Sequence, residues 1–545
     1  MKLYIPFLTN LFKKRQRRRI RSVMRGYQKL KQSGHLDKIQ NIKRILTEQS
    51  LNLNENDFSS FIMGAGKESG ELIVRQYLLA RVCDLNFNKA LLRSLVNKKG
   101  KVVFGMPREW RKIINKHGFK TANFQSEIYW RFYILASISY GTIRVIISLY
   151  QSIISLPKQV VKPQDHVFFH DLSPNNIPGS EKNSKTHDII SWYVNSKVKH
   201  KGIKEIYHSA EQNYPIKIGD TEVFSRDNHK LNLVCVNTIF KYFFWFVRAI
   251  FIAFIDLIRG HWWNALLFNQ ATFSAKIRFL PQKFIAKEYL FHQSGWIYRP
   301  LWTYEAAKRG SIITLYFYAT NCKGFLWSDG SSAPIVYGYQ AMNWPNYLVW
   351  DTYQENFILE VAIKPFKINI VGPIWMQGKL SDLPNFDKKA IAVFDITPMR
   401  DSFYSSLALD LEYYIPETCN QLIKDCYTVV DSMGYLLIHK KKRNIGSLVH
   451  PAYRKLVESI DKKTNVITVN PDTSALKVIE SSFAVISMPF TSTALIAREL
   501  GKPSVFYDPS GLIQKDDTAA HGIPILSGQE ELKDWMSNLV NDKTI

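Results

Sequence analysis

Cysteine, acidic residues and clean transmembrane stretches are the scarce features of this sequence. Its 545 residues include five cysteines, none of them in a CxxC pair, so neither a disulfide framework nor a zinc site is expected. The first residues contain no apolar run of signal-peptide length, and export is not expected. Asp and Glu number 46 against 72 Lys and Arg, which gives a net charge of +26. This excess indicates an anionic partner: lipid head groups, nucleic acid or a phosphorylated substrate.

The positive charge is concentrated near the start of the chain. Lys13–Arg25 carries eight Lys or Arg in thirteen residues. No zinc-finger, RRM or other recognisable nucleic-acid module follows, so nucleic acid is not the expected partner. An anionic membrane surface fits the run better, because two long apolar segments occur further along. Residues 1–60 are predicted to form a basic helical appendage.

Two apolar segments come close to the length that spans a bilayer. Phe132–Leu156 has 25 residues with one charge, Arg144, and Tyr242–Ile258 has 17 residues with Arg248 and Asp256. Spanning takes about 20 apolar residues, and a central Arg opposes insertion by about 2.5–3.5 kcal/mol. Spanning helices, buried core helices and helices lying in the membrane interface are the three readings. We expect the third, and hence peripheral, monotopic attachment.

The last third of the chain alternates short apolar strands with helices. This alternation predicts a parallel sheet covered on both faces, which binds ligands beyond the carboxyl ends of its strands. The region 95–378 reads as mixed α/β, with strands such as Lys101–Met106, His166–His170 and Ile312–Ala319. Gln377–Lys388 has the composition of a linker. The sequence therefore predicts two α/β domains, 95–378 and 388–541.

Cations, an imidazole and hydroxyl groups fall at the carboxyl ends of the C-terminal strands. Thr491–Thr493 open a helix after a buried strand, where free backbone N–H groups and a partial positive charge attract phosphate. Taken singly, these groups have plainer readings: an ordinary N-cap, a solvated lysine run, a His-Pro loop. Together on one sheet edge they predict a phosphate or nucleotide site. Its predicted residues are Arg400, Lys442, Arg443, His450, Pro451, Ser487, Thr491, Ser492 and Thr493.

The order of these motifs resembles the nucleotide-binding half of GT-B glycosyltransferases that use CMP-activated sugars, such as bacterial sialyl-, polysialyl- and Kdo transferases. The resemblance covers residues 390–540 well and the N-terminal half loosely. It implies an α/β fold of two Rossmann-like domains facing a cleft, with membrane-associated helices in the N-terminal half. It also implies that His450 and Pro451 meet the cytidine and phosphate region. The CMP phosphate would be held by Ser487, Thr491, Ser492 and Thr493.

The resemblance implies transfer of an acidic sugar, Kdo or sialic-acid-like, to a surface polysaccharide or lipid-linked acceptor at the cytoplasmic face of the bacterial inner membrane. No cofactor beyond the CMP-linked donor is expected. No convincing DxD motif occurs, since Asp410-Leu411-Glu412 precedes a predicted helix, so metal-independent transfer is expected, with cations neutralising the leaving phosphate. CDP-glycerol or CDP-ribitol phosphotransferases share the His and paired-Ser features and remain an alternative, as does a non-catalytic membrane assembly protein.

Sugar transfer also needs a base for the acceptor hydroxyl, or a carboxylate nucleophile if configuration is retained. Asp171 is the first candidate, because it follows the predicted strand His166–His170. Glu288 is the second, because it lies in an aromatic-rich block with Arg299 that is typical of a carbohydrate-facing surface. Asp188 and Asp351 are weaker candidates. The plainer reading of each is a helix cap or a surface carboxylate.

Overall fold

The computed structural model contains two α/β lobes, an N-lobe up to residue 374 and a C-lobe from residue 389. Lys13–Arg25, Arg400, Arg443 and most of the predicted linker lie outside the described residues. The described residues are 33–49, 53, 55–96, 100–156, 165–172, 177, 188–210, 216–226, 231–292, 298–320, 325–332, 339, 342–374, 383, 389–398, 413–442, 446, 449–471 and 473–541.

The N-lobe is built on an eight-stranded sheet of order β3-β4-β2-β1-β5-β6-β7-β8. All neighbouring strands are parallel except β3, which pairs antiparallel with β4 at one edge. The strands are β1 (His166–Phe169), β2 (Glu205–His208), β3 (Ile216–Ile218), β4 (Thr221–Ser225), β5 (Glu288–His292), β6 (Ile312–Tyr316), β7 (Asn346–Val349) and β8 (Lys367–Ile370). The predicted strand at 101–106 is wrong, because Val102 there forms an isolated bridge to Thr121.

The C-lobe is a six-stranded parallel sheet of order β11-β10-β9-β12-β13-β14. Its strands are β9 (Ala390–Phe394), β10 (Leu436–Lys440), β11 (Val466–Thr468), β12 (Ala484–Ser487), β13 (Ser504–Asp508) and β14 (Ile525–Ser527). Successive residues of β9 join opposite clusters, Ile391 and Val393 in one and Ala390 and Ala392 in the other. Burial on both faces explains why these strands are continuously apolar, and it confirms the predicted parallel sheet.

Helices cover both sheets. In the C-lobe they are α13 (Pro416–Ser432), α14 (Pro451–Ile460), α15 (Ala475–Ser481), α16 (Ser492–Glu499) and α17 (Gly528–Asn541). In the N-lobe they are α1 (His35–Glu48), α2 (Ser60–Met63), α3 (Gly70–Val82), α4 (Leu85–Val96), α5 (Arg108–Lys116), α6 (Asn123–Ser155), α7 (Ile189–Asn195), α8 (Val236–Ile258), α9 (Trp262–Leu266), α10 (Phe268–Phe279), α11 (Trp302–Lys308) and α12 (Thr352–Val361). The apolar face of α1 is buried in the core, so the described part of the predicted appendage packs into the N-lobe.

The two predicted apolar segments form α6 and α8, which are long and apolar enough to cross a membrane. The helices run antiparallel, because Ser152 near the end of α6 bonds the backbone of Leu233, just before α8 begins. Each buries one narrow stripe against the protein. On α8 this stripe includes Tyr242, whose hydroxyl donates to Thr272 of α10. The opposite faces are exposed and apolar, so the buried-core reading of these segments is wrong.

The lobes contact each other through loops at the carboxyl ends of their strands. Residues 325–332, which follow β6 and which we call the arm, reach onto the C-lobe. There Trp327 forms an antiparallel bridge with Ile513, and Ser328 donates its N–H to Leu512 at 2.8 Å. The Leu326 N–H reaches the Asp517 carboxylate at 2.6 Å. The carboxyl edges of the two sheets therefore meet across one cleft.

Candidate functional site

The C-lobe sheet has a switch point between β9 and β12. From β9 the chain moves outward through β10 and β11, whereas from β12 it moves the opposite way through β13 and β14. The two loops that leave these neighbouring strands must diverge, and this opens a crevice at the carboxyl edge where such sheets bind ligands. One wall is 395–398 after β9. The other is 488–493 after β12, which we call the hydroxyl turn.

The hydroxyl turn presents the start of α16 to this crevice. Phe490 adopts a left-handed backbone (φ 61°), which folds the chain sharply between strand and helix. Thr491 occupies the N-cap position, but its hydroxyl donates to Met488 O at 2.7 Å and does not cap the helix. The plainer prediction of an ordinary N-cap is therefore wrong. The first-turn N–H groups of α16 donate no hydrogen bond to that side chain, and they suit an anion.

Three of the predicted hydroxyl groups contact one another, and the fourth contacts the N-lobe. Ser487 is fully buried, and its Oγ lies 2.8 Å from Thr493 Oγ1, so these two side chains fix each other. Thr491 Oγ1 also lies 3.3 Å from Thr493 Oγ1. Ser492 Oγ instead accepts a bond from the N–H of Thr320 in the N-lobe, at 3.3 Å. The structure thus brings all four hydroxyls to one turn.

The facing wall rests on a buried ion pair: the carboxyl-end rule selects Asp395 from the sequence, but its partner His439 is not among the predicted site residues. Asp395, just past β9, is buried, and its Oδ2 lies 2.9 Å from His439 Nε2. Tyr453 of α14 donates its hydroxyl to the same oxygen. The other oxygen accepts from the Thr397 N–H at 3.0 Å and holds that residue in a left-handed conformation (φ 47°). An acidic residue directly after a buried strand was the available signal.

Electrostatic interactions favour the charged form of both partners. Burial raises the pKa of the Asp395 carboxyl, but the hydrogen bond and charge of His439 outweigh it and hold that pKa below its ordinary value. Burial lowers the pKa of His439, yet its bonds to Asp395 and Asp461 raise it overall. Burial and the neighbouring Asp395 raise the pKa of Tyr453, which stays a donor. The hydrogen bonds to the buried Asp395 carboxylate therefore fix the loop after β9.

The predicted cations and the His-Pro pair are placed unequally. His450 is half-buried at the N-cap of α14, its N–H donates to Pro398 O at 3.0 Å, and Pro451 opens the helix. Lys442 is exposed at the same edge. Two further lysines of the run are structural: Lys440 Nζ donates to Pro471 O at 2.6 Å, and Lys441 pairs with Asp461 at 2.7 Å. Within the described chain, His450 of the His-Pro pair and Lys442 of the lysine run thus lie at the crevice.

The N-lobe has its own switch point, between β1 and β5. Asp171 follows β1, is exposed, has a left-handed backbone (φ 53°) and donates its N–H to Ser209 Oγ at 3.0 Å. His292 ends β5 beside it. Burial lowers the pKa of His292, and the charge of Asp171 partly opposes this. Burial and Asp171 also raise the pKa of Tyr298. An accessible carboxylate thus stands at this edge, beside an imidazole and a phenol.

The second predicted carboxylate lies elsewhere. Glu288 begins β5, at the amino end of the sheet, and is 2% exposed. It accepts bonds from Tyr193 at 3.1 Å and Thr314 at 2.6 Å. The prediction of a carbohydrate-facing Glu288 is therefore wrong, since the carboxyl group is enclosed by its own lobe. Asp188 and Asp351 cap α7 and α12, as their plainer reading indicated.

These two lobes define the class of fold. In each parallel sheet the first strand lies in the middle and the chain winds outward in both directions, and the carboxyl edges of the two sheets face one cleft. This is the GT-B type of α/β fold. A family model described as "Polysaccharide biosynthesis PFTS motif protein" matches residues 245–536, just over half of the chain. The chain belongs to this family. Residues 489–492 of the hydroxyl turn read Pro-Phe-Thr-Ser, the letters of that motif.

Solved structures with similar folds were also found, at low similarity. TarM aligns at 12% identity over 50% of this chain and 51% of its own, with a TM-score of 0.30. The lipopolysaccharide outer core galactosyltransferase WaaB aligns at 11% identity over 70% and 91%, with a TM-score of 0.33. KpsC of Thermosulfurimonas dismutans, a beta Kdo 2,4 transferase, aligns at 11% identity over 25% and 39%, with a TM-score of 0.18. This chain thus spans about half of TarM. No curated protein matches it.

Proposed function

We propose that this chain is a glycosyltransferase of polysaccharide biosynthesis that moves an acidic sugar, Kdo or sialic-acid-like, from a CMP-activated donor to a surface polysaccharide or lipid-linked acceptor. The observation that carries the proposal is the hydroxyl turn at the switch point of the C-lobe, in a family named for its motif and for polysaccharide biosynthesis. The GT-B type of fold supports the same reaction class. The choice of CMP rests on the sequence resemblance.

In this proposal the hydroxyl turn and the first-turn amides of α16 bind the CMP phosphate as donors and through the helix dipole. His450 and Pro451 contact the cytidine and phosphate region. Lys442, with Arg400 and Arg443 from the sequence, offsets the negative charge that grows on the leaving phosphate, so that transfer proceeds without a metal ion.

Asp171 is the proposed base of the N-lobe. Its exposure lets an acceptor hydroxyl approach and lets the proton leave to solvent, both of which general base catalysis requires. The buried Glu288 meets neither requirement, and we no longer assign it a catalytic role.

The test is release of CMP by the purified protein from a panel of CMP-Kdo, CMP-sialic acid, CDP-glycerol and CDP-ribitol, supplied with membrane-extracted acceptor. We expect release with a CMP-sugar, and its loss in His450→Ala and Ser492→Ala. Ser537→Ala, which removes a hydroxyl on α17, is the control. Activity with CDP-glycerol or CDP-ribitol alone would favour a phosphotransferase. Inactivity with every donor would favour the non-catalytic assembly protein.

We further propose monotopic attachment to the cytoplasmic face of the bacterial inner membrane through α6 and α8. Their outer faces are apolar: on α6, Phe132 is 67% exposed and Tyr150 66%, and on α8, Phe244 and Phe251 are both 66% exposed. The charged side chains exposed on or beside these faces include Arg131, Lys241, Arg248 and Arg259, all positive. An apolar face bordered by cations matches an anionic lipid surface.

Packing supports lying on the membrane over crossing it. The inner stripe of α6 contacts protein from Trp130, whose ring packs edge-on against Trp262, to Ser152 near its end. In its middle, Gly141 lies against Phe268 and Asn269 of α10, so closely that a Cβ would clash. A membrane-crossing α6 about 50 Å long would carry α10, with its polar residues, into the hydrocarbon.

Sedimentation with vesicles tests this attachment. We expect binding to phosphatidylglycerol vesicles that weakens in Phe244→Glu/Phe251→Glu and stays intact in Leu359→Glu, an exposed apolar position on α12. Release of the native protein by carbonate is expected. Retention after carbonate, with protease cleavage from both sides of the membrane, would show that the helices span it.

A further inference from the structure

The hydroxyl turn is held by the opposite lobe as well as by its own. Thr320 follows β6 in the N-lobe and is buried. Its N–H donates to Ser492 Oγ at 3.3 Å, and its hydroxyl donates to Phe490 O at 3.2 Å. Its own carbonyl lies 3.0 Å from His521 Nε2 in the C-lobe. All three polar groups of this one residue therefore engage the C-lobe, two of them on the turn.

The contacts continue back and forth between the lobes. His521 is 1% exposed, and its Nδ1 lies 2.6 Å from Asp351 Oδ2 at the start of α12. Its carbonyl accepts from Arg498 of α16 at 2.5 Å. The order Asp351, His521, Thr320, Ser492 thus alternates between N-lobe and C-lobe, so residues of both lobes are linked to the turn.

Two features of the turn depend on this support. Phe490 is a non-glycine residue in the left-handed region, a backbone conformation that a side chain with a Cβ disfavours. Thr320 and the ring of Phe325 in the arm, 4.7 Å from the Phe490 ring, hold it there. Ser492 Oγ accepts from the Thr320 N–H, so the serine's own hydrogen points away from Thr320 and can be donated to a phosphate oxygen.

We propose that Thr320 is a positioning residue for the hydroxyl turn, and that the turn binds the donor phosphate fully only while the two lobes are docked. This inference rests on the proposed role of the turn as the phosphate site. Thr320 does not contact the donor. It fixes the Phe490 carbonyl and the Ser492 hydroxyl, and the N-lobe thereby contributes to donor affinity from outside the nucleotide-binding lobe.

Thr320→Val tests the proposal, because it keeps the shape and the backbone N–H and removes the donor to Phe490 O. Amide hydrogen exchange of residues 488–493 is measured without nucleotide, and CMP affinity by calorimetry. We expect about fivefold faster exchange and about fivefold weaker CMP binding, the effect of one hydrogen bond of about 1 kcal/mol. Thr320→Ser should restore both. Ser328→Ala, an exposed arm position, should match the wild type.

The outcomes separate this inference from the proposed function. Unchanged exchange in Thr320→Val overturns the claim that Thr320 holds the hydroxyl turn. Faster exchange with unchanged CMP affinity overturns the claim that Thr320 contributes to donor affinity. A wild-type protein that binds none of CMP, CDP and UDP overturns the proposed function, while the exchange measurement still decides whether Thr320 holds the turn. Equal effects in Thr320→Val and Thr320→Ser would show that Thr320 acts through packing and not through its hydroxyl group.

Discussion

The switch points of the two lobes occupy equivalent places in similar sheets but are built differently. In the C-lobe, Asp395 and His439 are fully buried and paired, and Tyr453 and Thr397 bond the same carboxylate. In the N-lobe, Asp171 is exposed. Under the proposed function, this difference corresponds to a division of roles between the lobes. A lobe that binds a constant nucleotide benefits from rigid, pre-organised groups, whereas a group that moves a proton must reach its substrate and solvent.

The largest expected effect lies on the buried side of this comparison. Asp395→Ala should lower the free energy of unfolding by about 3–5 kcal/mol, because it leaves the buried His439 imidazolium without its counter-ion. Urea unfolding followed by tryptophan fluorescence and circular dichroism measures the change. Asp171→Asn, which tolerates the left-handed backbone at that position, is the control and should stay within about 0.5 kcal/mol. Equal losses in the two variants would remove the contrast between the switch points.

The exposed side should matter for rate and not for stability. Asp171→Asn keeps a residue that tolerates the left-handed backbone and removes the carboxylate. We expect transfer to fall by about 100-fold or more, equivalent to about 3 kcal/mol, with CMP affinity and unfolding unchanged. Steady-state kinetics and calorimetry on the same preparation provide the comparison. A variant with near wild-type turnover would show that another group is the base.

A smaller effect is expected within the hydroxyl turn. Thr493→Val removes the partner of the buried Ser487 hydroxyl, so we expect about fivefold weaker CMP binding, or about 1 kcal/mol. Thr493→Ser keeps the hydroxyl and should bind CMP nearly as the wild type does. Calorimetric titration measures both, and identical affinities for Val and Ser would show that this hydroxyl does not order the site.

The smallest expected effect is a dependence of C-lobe stability on pH. The pKa of His439 is raised in the fold, so its contribution is complete below about pH 6.5, the ordinary value, and is lost as pH rises through the raised pKa. The pKa of Asp395 is lowered, so its contribution is lost only as pH falls through that lowered value. Unfolding measured from pH 5 to 9 should show an alkaline decline that His439→Gln lacks. The same pH profile in the wild type and in His439→Gln would show that His439 does not cause the alkaline decline.

Sequence reasoning found the parts of this molecule that depend on local pattern. The parallel C-terminal sheet followed from continuous apolar runs, and the crevice residues followed from the rule that ligands bind beyond the carboxyl ends of such strands. The position of Asp171 at the carboxyl end of a strand followed in the same way, and its catalytic role stays a prediction.

Contacts between distant segments were out of reach. Nothing in the sequence pairs Asp395 with His439, or Thr320 with the turn at Phe490, because those contacts arise from the order of strands and the docking of lobes. Glu288 was misjudged for a related reason. Its aromatic neighbours form the interior of the N-lobe, and composition alone does not distinguish a buried aromatic block from a sugar-binding surface.

The arm has a consequence for how such proteins can be recombined. Exchanging the C-lobe alone between two relatives would separate the hydroxyl turn from Thr320 and Phe325, which contact it. The hybrid would then have mismatched side chains where the two lobes meet. The family match begins inside α8 and ends in α17, so it includes the arm together with the turn but only part of the N-lobe. The region matched by the family model therefore keeps these contacting segments together. A working chimaera would be joined before Thr320, not at the linker between the lobes.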